Sequence, residues 1–470
     1  MKESIEEKEE KSFRDSLSTI DESGNRKWIY PKKPKGKFTK ARNWVSAFLL
    51  AFLFSGPFIR IGGQPLLQFN LIERKFILFG QIFWPQDFHL FVIGMIILVL
   101  FITLFTVVYG RLFCGWVCPQ TIFMEGVFRK IEYAIEGDWK QQMKLTKMPW
   151  NAEKIRKKTL KHVIFLIISF LIANTFLAYI IGSNALLEII TDPPEEHLAG
   201  LGAITIFSLV FYGVFAKFRE QVCTTVCPYG RLQGVLLDRQ SVIVAYDHVR
   251  GEQRGKFRKN EERDEVGKGD CIDCGHCVHV CPTGIDIRNG TQLECVNCTA
   301  CIDACDEMME AVNLPTGLIR YTSEEQIQTR DPFKLSTRAK AYTILLAVLI
   351  GILATLLITR TEVEATILRT PGMIYQTNED GTISNLYNYK IINKTNYDLD
   401  FTLKPLDDDY KIKMIGRVQE LKMQEVAEGA FFLSAPPEDF ELGSLKTELG
   451  IFNAKGEIIE KVKIKMAGPL

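Results

Sequence analysis

Eight of the twelve cysteines lie between Cys271 and Cys305 and repeat one pattern. The first copy is Cys271, Cys274, Cys277, Cys281 and the second is Cys295, Cys298, Cys301, Cys305, each spaced C-x2-C-x2-C-x3-C. That is the bacterial iron–sulfur run. Three thiolates this close wrap one cubane, and the fourth is aimed away, ligating the other cluster where two runs are paired. The implied sets are Cys271, Cys274, Cys277 and Cys305 for one [4Fe-4S] cluster, and Cys295, Cys298, Cys301 and Cys281 for the other. Zinc needs four ligands per ion and has no use for a tandem run with crossed fourth ligands. One departure is that Cys281 precedes Pro282 whereas Cys305 precedes Asp306; proline supplies no ligand. The chemistry this pattern implies is one-electron transfer.

The other four cysteines form a second repeat. Cys114 and Cys118 precede Pro119, Cys223 and Cys227 precede Pro228, and each C-x3-C-P is followed by a Gly-Val pair, Gly126-Val127 or Gly234-Val235. Parallel duplication puts functional groups at the repeat interface, so these four cysteines are expected to face one another near the cytoplasmic membrane surface. Pro119 and Pro228 suit the first position of a helix. Cys118 and Cys227 would then cap helix N-termini, where the dipole favours thiolate. Soft thiolates select Cu(I), zinc or iron–sulfur centres. A copper site, a further cluster held by two loops, and inert buried cysteine all remain open on spacing alone.

The elements that must position these residues are apolar. The chain has 470 residues, 47% of them hydrophobic, and a formal charge of +1. Without a net basic field, nucleic acid is not expected as a partner. Residues 90–109, 163–187, 198–216 and 341–359 reach or approach the roughly 20 apolar residues of a bilayer helix. Residues 44–59 make a weaker fifth span, interrupted by Gly56 and Pro57. The apolar stretches begin too late in the chain for a secretory signal peptide.

Orientation follows from Lys and Arg. Residues 26–42 hold Arg26, Lys27, Lys32, Lys33, Lys35, Lys37, Lys40 and Arg42 and no acid, whereas the connection between the third and fourth spans holds Glu188, Asp192, Glu195 and Glu196 and no Lys or Arg. Positive loops stay inside, so the amino terminus and the cysteine runs are expected in the cytoplasm, where thiols stay reduced, and the carboxy terminus outside. The expected domains are a basic tail 1–43, a four-span domain 44–240 with the two C-x3-C-P segments, a ferredoxin domain 241–337, a fifth helix 338–360 and an outer domain 361–470. The outer domain has short alternating runs such as 384–392, 399–403, 411–415 and 462–466 between turn signals, the pattern of an Ig-like β-sandwich. The fold class is therefore a multi-domain membrane protein: a five-span helical bundle, an inserted α+β two-cluster ferredoxin domain and a C-terminal sandwich.

Other residues carry less. His276 and His279 sit inside the first run and are expected to shield rather than ligate. His162 opens the third span. Arg74, Lys75, Trp84 and Asp87 lie in a polar loop, with Trp84 as an interfacial anchor. Met373, Met414, Met423 and Met466 read as core rather than copper ligands.

The two C-x3-C-P hairpins, the double ferredoxin run, the last span and the outer sandwich together resemble the CcoG/FixG/RdxA family of cytochrome c oxidase accessory proteins. The least generic elements are Phe83–Phe88 (FWPQDF), Phe113–Phe123 (FCGWVCPQTIF) and Val226–Val235 (VCPYGRLQGV). Polyferredoxins of nitrate and nitrous-oxide respiration look similar over the spans and cysteines but not over the sandwich. The resemblance implies a protein of the bacterial inner membrane that reduces Cu(II) to Cu(I) for assembly of a cbb3-type oxidase. Copper is then the substrate, and Cys114, Cys118, Cys223 and Cys227 the catalytic metal site. Oxidase assembly factors, an unidentified electron donor and a second copy of the chain are the expected partners. An electron conduit between quinol or a soluble donor and a respiratory enzyme, and a non-redox scaffold, are the alternatives.

Overall fold

The computed structural model describes residues 19–20, 23, 25–70, 75–83, 87–259, 261, 263, 265–361, 363–372, 374–395, 397–407, 409–416, 421–422, 425–453 and 456–469. Arg74, Trp84, Met373 and Met423 lie outside them. The chain forms two compact units, Met1–Phe58 with Val92–Gly351, and Ile59–Phe91 with Ile352–Leu470.

Among the described residues four helices are long and apolar enough to cross a membrane: Phe88–Tyr109, Ala152–Ile181, Pro194–Phe218 and Thr337–Ile358. Each contains a long run that is apolar on every side, as a lipid-facing segment requires, while Ala152–Ile181 begins with a charged stretch that holds Lys154, Lys158 and Lys161. The expected fifth span, 44–59, is not among them. It falls in the helix Lys37–Ser55, whose apolar part from Trp44 to Phe54 is about 16 Å long at 1.5 Å per residue, short of the roughly 30 Å hydrocarbon layer. The span expected at 163–187 also differs. It begins at Ala152, where the Asn151 side chain accepts from Lys154 N at 2.9 Å, and stops at Gly182, whose φ of 91° ends a helix. Residues 183–191 make a separate short helix.

In the first unit, the chain after Cys118 is helical from Pro119 to Ile135, with a π-turn at Met124–Phe128. Phe123, Met124 and Phe128 pack with Phe165, Ile172 and Phe215, and Phe128 stacks on Phe215 at 4.6 Å. This core pins the first C-x3-C-P segment to the spans that carry the second. The Tyr212 hydroxyl and His162 Nδ1, 2.8 Å apart, tie those two spans together.

The ferredoxin cassette is closed by an antiparallel pair, Ile243–Tyr246 with Ile319–Thr322. Its two runs bend at equivalent places: Asp273 (φ 53°) and Gly275 (φ 67°) in one, Asn297 (φ 52°) and Thr299 (φ 64°) in the other. These left-handed turns flank Cys274 and Cys298 and curl the loop so that successive thiols converge. Asp, Asn and Gly accept that conformation readily; a β-branched threonine adopts it only under strain.

In the second unit, residues 363–369, 383–393, 411–415 and 426–435 form one antiparallel sheet, with 376–377 at its edge, and 401–405, 444–453 and 458–467 form another. Alternate residues Tyr387, Tyr389 and Ile391 meet Phe431, Leu433, Leu449 and Ile451 in one core, as a sandwich requires. Met466 is fully buried in that core and Met414 packs against it. Residues 59–91, expected with the four-span domain, belong to this unit. They form a meander of Leu67–Asn70, Lys75–Leu78 and Gln81–Phe83. Asp87 then accepts from Arg360 (2.7 Å) and Lys394 (2.8 Å).

Candidate redox site

The structure gathers the eight ferredoxin cysteines into two crossed sets. Cys271, Cys274, Cys277 and Cys305 line one cavity, with Tyr246, Met309, Leu318 and Ile319 around them. Cys281, Cys295, Cys298 and Cys301 line a second, with Val244, Ile285 and Ile287. Cys277 faces both, so the cavities share a wall. Burial pushes the Cys277, Cys295 and Cys305 thiols up to about 12, and moves Cys281 and Cys301 upward as well. Apolar walls make a bare thiolate costly, and a ligated iron removes that cost by taking the proton's place. The donor sets therefore fit two [4Fe-4S] clusters, which would take up and release single electrons. His276 and His279 line neither cavity; the His279 ring stacks on Trp139 at 5.0 Å.

The C-x3-C-P cysteines also converge. Cys118 and Cys227 are the N-cap residues of helices that open on Pro119 and Pro228. The Cys223 thiol is pushed up to about 12 by burial, with the like charges of Cys118, Cys114 and Cys227 adding to it. Burial raises Cys114 to about 11, opposed by its bond to Gln233, a fully buried side chain whose Nε2 lies 3.3 Å from the sulfur. One tetrahedral ion would hold its sulfurs about 3.8 Å apart, given Zn–S bonds of about 2.3 Å. No three of the twelve thiols lie within 4.8 Å of one another; among the described residues only Asp192, Glu196 and His197, at the far end of the hairpin, meet that spacing.

A buried charge network holds the two C-x3-C-P segments together, and sequence reasoning missed it. Arg219, four residues before Cys223, donates to both oxygens of Glu132 at 2.7 and 2.8 Å. It holds a left-handed φ of 52°, and its carbonyl accepts from Gln120, two residues after Cys118, at 3.3 Å. Glu220 meets Arg26 at 3.0 Å and Arg129 at 3.7 Å, and Lys161 bridges Glu132 and Glu136 at 3.5 and 3.0 Å. A signal was present: an arginine stands three residues before Cys114 and another four before Cys223.

The segments in turn abut the second cysteine run. A methyl added to Gly115 would lie 2.5 Å from Val296 O and 2.7 Å from Asn297 O, so only glycine lets the Cys114 loop lie on the Cys295–Cys298 loop. Trp116 donates to the Tyr321 hydroxyl at 3.0 Å, and that hydroxyl donates to Asn297 O at 3.3 Å. On the other side Asp303 caps the helix Lys37–Ser55, accepting from Phe38 N, Thr39 N and Thr39 Oγ1 at 3.0, 2.7 and 2.6 Å. Gly36 has no side chain to do so, and any side chain there would strike Asp303.

The comparisons with known proteins agree with this architecture. Residues 218–324 match the family of 4Fe-4S dicluster domains, residues 91–136 that of 4Fe-4S binding domains, and residues 353–469 the IG-like fold at the C-terminus of FixG. Fold and cysteines together define a multi-domain membrane protein that transfers electrons through iron–sulfur centres. Protein RdxA of Cereibacter sphaeroides is 36% identical over 80% of this chain and 81% of its own length, and protein RdxB of that organism 35% over 78% and 79%. Nitrogen fixation protein FixG of Rhizobium meliloti is 37% identical over 63% of this chain and 57% of its own. The chain belongs to the FixG/RdxA family.

Proposed function

We propose that this chain passes single electrons from a donor on its ferredoxin side to Cu(II), and that the Cu(I) produced serves assembly of a cbb3-type cytochrome c oxidase. The observation that supports the electron-transfer part is the contact of the Cys114 loop with the Cys295–Cys298 loop, where Gly115 lies against Val296 and Asn297. The copper part rests on the family resemblance and on the preference of soft thiolates for Cu(I) over Cu(II). Each turnover is Cu(II) plus one electron giving Cu(I), the electron coming from the reduced donor.

The proposed location is the bacterial inner membrane, with the amino terminus and ferredoxin cassette cytoplasmic and the sandwich periplasmic. The helix Lys37–Ser55 is proposed as a short fifth crossing. Its first turn is tied to Asp303 of the cassette, and at its far end Leu53 O accepts from Tyr179 at 2.8 Å, near the end of the helix Ala152–Ile181. Its partners are proposed to be oxidase assembly factors, a soluble or quinol donor and, in the membrane, a second copy of the chain.

A second reading, that Cys114, Cys118, Cys223 and Cys227 hold a further cluster, is favoured by the match of residues 91–136 to 4Fe-4S binding domains. Anaerobic purification separates the two. Two cubanes require about eight irons per chain and three require about twelve. Protein reduced with dithionite, freed of excess and mixed with Cu(II), should form Cu(I). Cys118→Ala and Cys227→Ala should each abolish that step while keeping the iron of the ferredoxin cassette, and the double variant should be no worse, because ligands of one site act as a unit. Parental copper reduction by both variants would remove these cysteines from the reaction.

A further inference from the structure

We propose that Arg111 is a positioning residue that joins the two C-x3-C-P segments to the second cysteine run, and that its buried charge raises the reduction potential of the centre held by Cys281, Cys295, Cys298 and Cys301. The proposal rests on the reading of those four residues as cluster ligands.

The local sequence delivers Arg111 to this place. The helix Phe88–Tyr109 ends at Gly110, whose φ of 56° turns the chain, and a methyl there would meet Ile243 at 2.7 Å and Val242 O at 3.1 Å. The next residue is therefore placed in the seam between the span and the cassette. Arg111 is only 5% exposed. Its Nη1 donates to Leu293 O, two residues before Cys295, and its Nη2 donates to Gly230 O, three residues after Cys227, at 2.7 Å. One side chain thus touches the second repeat and the cassette from a position three residues before Cys114.

What Arg111 lacks is a carboxylate bonded to it. The buried Arg129 and Arg219 each meet glutamates. Among the described residues Arg111 forms no ion pair, and its Nε is buried without an acceptor. A buried guanidinium bonded only to neutral carbonyls is costly unless an anion lies near. The anions near it are the Cys114 thiolate within the same loop, the Cys295 thiolate beyond Leu293 and, between Leu293 and Cys295 in sequence, the Glu294 carboxylate, which makes no ion pair with it. A centre held by four thiolates gains a further negative charge on reduction. A fixed cation beside it in a low-dielectric interior stabilises the reduced form and so raises the potential. The set of Cys271, Cys274, Cys277 and Cys305 has no comparable role for Arg111, whose two bonded partners both lie on the other side.

The test is a spectroscopic redox titration of the full chain, anaerobic and without copper, with iron content as control. Arg111→Gln is uncharged but can still reach a carbonyl; Arg111→Lys keeps the charge without the fork. Arg111→Gln should keep its iron and lower the midpoint of one centre by at least tenfold in the one-electron equilibrium, which is about 59 mV. The other midpoint should not move, and Arg111→Lys should stay near the parental value. The shifting signal should be the one missing from Cys281→Ala. If both midpoints of iron-replete Arg111→Gln are parental, or if Arg111→Lys falls as far as Arg111→Gln, charge is not what Arg111 contributes and the proposal fails. Copper is absent throughout, so this result is independent of whether the chain reduces it.

Discussion

The cysteine-bearing unit and the sandwich bury their interiors in different ways. In the sandwich the largest fully buried side chains are Tyr387, Phe431, Ile391 and Ile392; in the cysteine-bearing unit Arg129 is among them, beside Phe128, Phe165 and Phe215. Around it Glu132, Glu220 and Arg219 are also buried. Buried ion pairs gain little net stability over apolar packing of the same volume, but they are directional and break at high cost when one partner is lost. The region that must hold thiols from two distant segments in register uses charge. Between its two sheets the sandwich, which carries none of the twelve cysteines, uses apolar bulk, and its buried charges, Asp87 and Lys394, lie outside that core.

The sharpest way to break this contrast is within the cysteine-bearing unit. Cys281→Ala should remove the centre whose other ligands are Cys295, Cys298 and Cys301, and with it about half of the cassette's iron. Loss confined instead to the centre of Cys271, Cys274 and Cys277, seen by spectroscopy that resolves the two, would show that the crossing is wrong. Arg219→Met leaves Glu132 with only Lys161 and its neighbours, and should cost about 3–5 kcal/mol, the penalty for halving a buried pair. Thermal unfolding should report that loss, and Cys118 and Cys223 should become open to alkylation while the cassette keeps its iron. A variant as stable as the parent would show that charge does not hold the repeats together.

The sandwich should answer to volume. Phe431→Ala removes a ring stacked on Tyr387 at 5.6 Å and should cost about 3–5 kcal/mol, with both ferredoxin signals unchanged. A change in those signals would make the two regions one energetic system. The smallest effect is expected at Glu460, a half-buried carboxylate of this unit. Burial, with Glu364 adding to it, pushes its carboxyl up to about 7, above the ordinary glutamate value near 4.3. The folded chain then binds that proton more tightly than the unfolded chain. The stability this provides is present below about pH 4 and lost as pH rises through 7. Glu460→Gln should therefore match the parent at pH 4 and be more stable at pH 8 by about 1 kcal/mol, a small value because the group is only half-buried. Urea unfolding of the full chain at both pH values decides it; equal stability at pH 8 would refute the shift.

Much of this molecule was legible in residue order. Spacing alone implied the crossed ligand sets, because three of four ligands lie within seven residues and local backbone turns bring them together. The main strands of the sandwich were visible as alternation, and four of the spans as unbroken apolar runs, since both patterns follow from burial of one face or of all faces. Tertiary structure decided the rest. The helix that carries 44–59 is apolar over a shorter stretch than the other spans, and residues 59–91 joined the sandwich, because Arg360 and Lys394, distant in sequence, hold Asp87. The convergence of Cys114 and Cys118 with Cys223 and Cys227 was suggested by the repeat, but the groups that hold it were not. Glu132 and Arg219 are 87 residues apart, and Arg111 is 182 residues from Leu293. A charged side chain in a sequence looks solvated by default, and only the packing around it shows which charges have been taken out of water and what they face there.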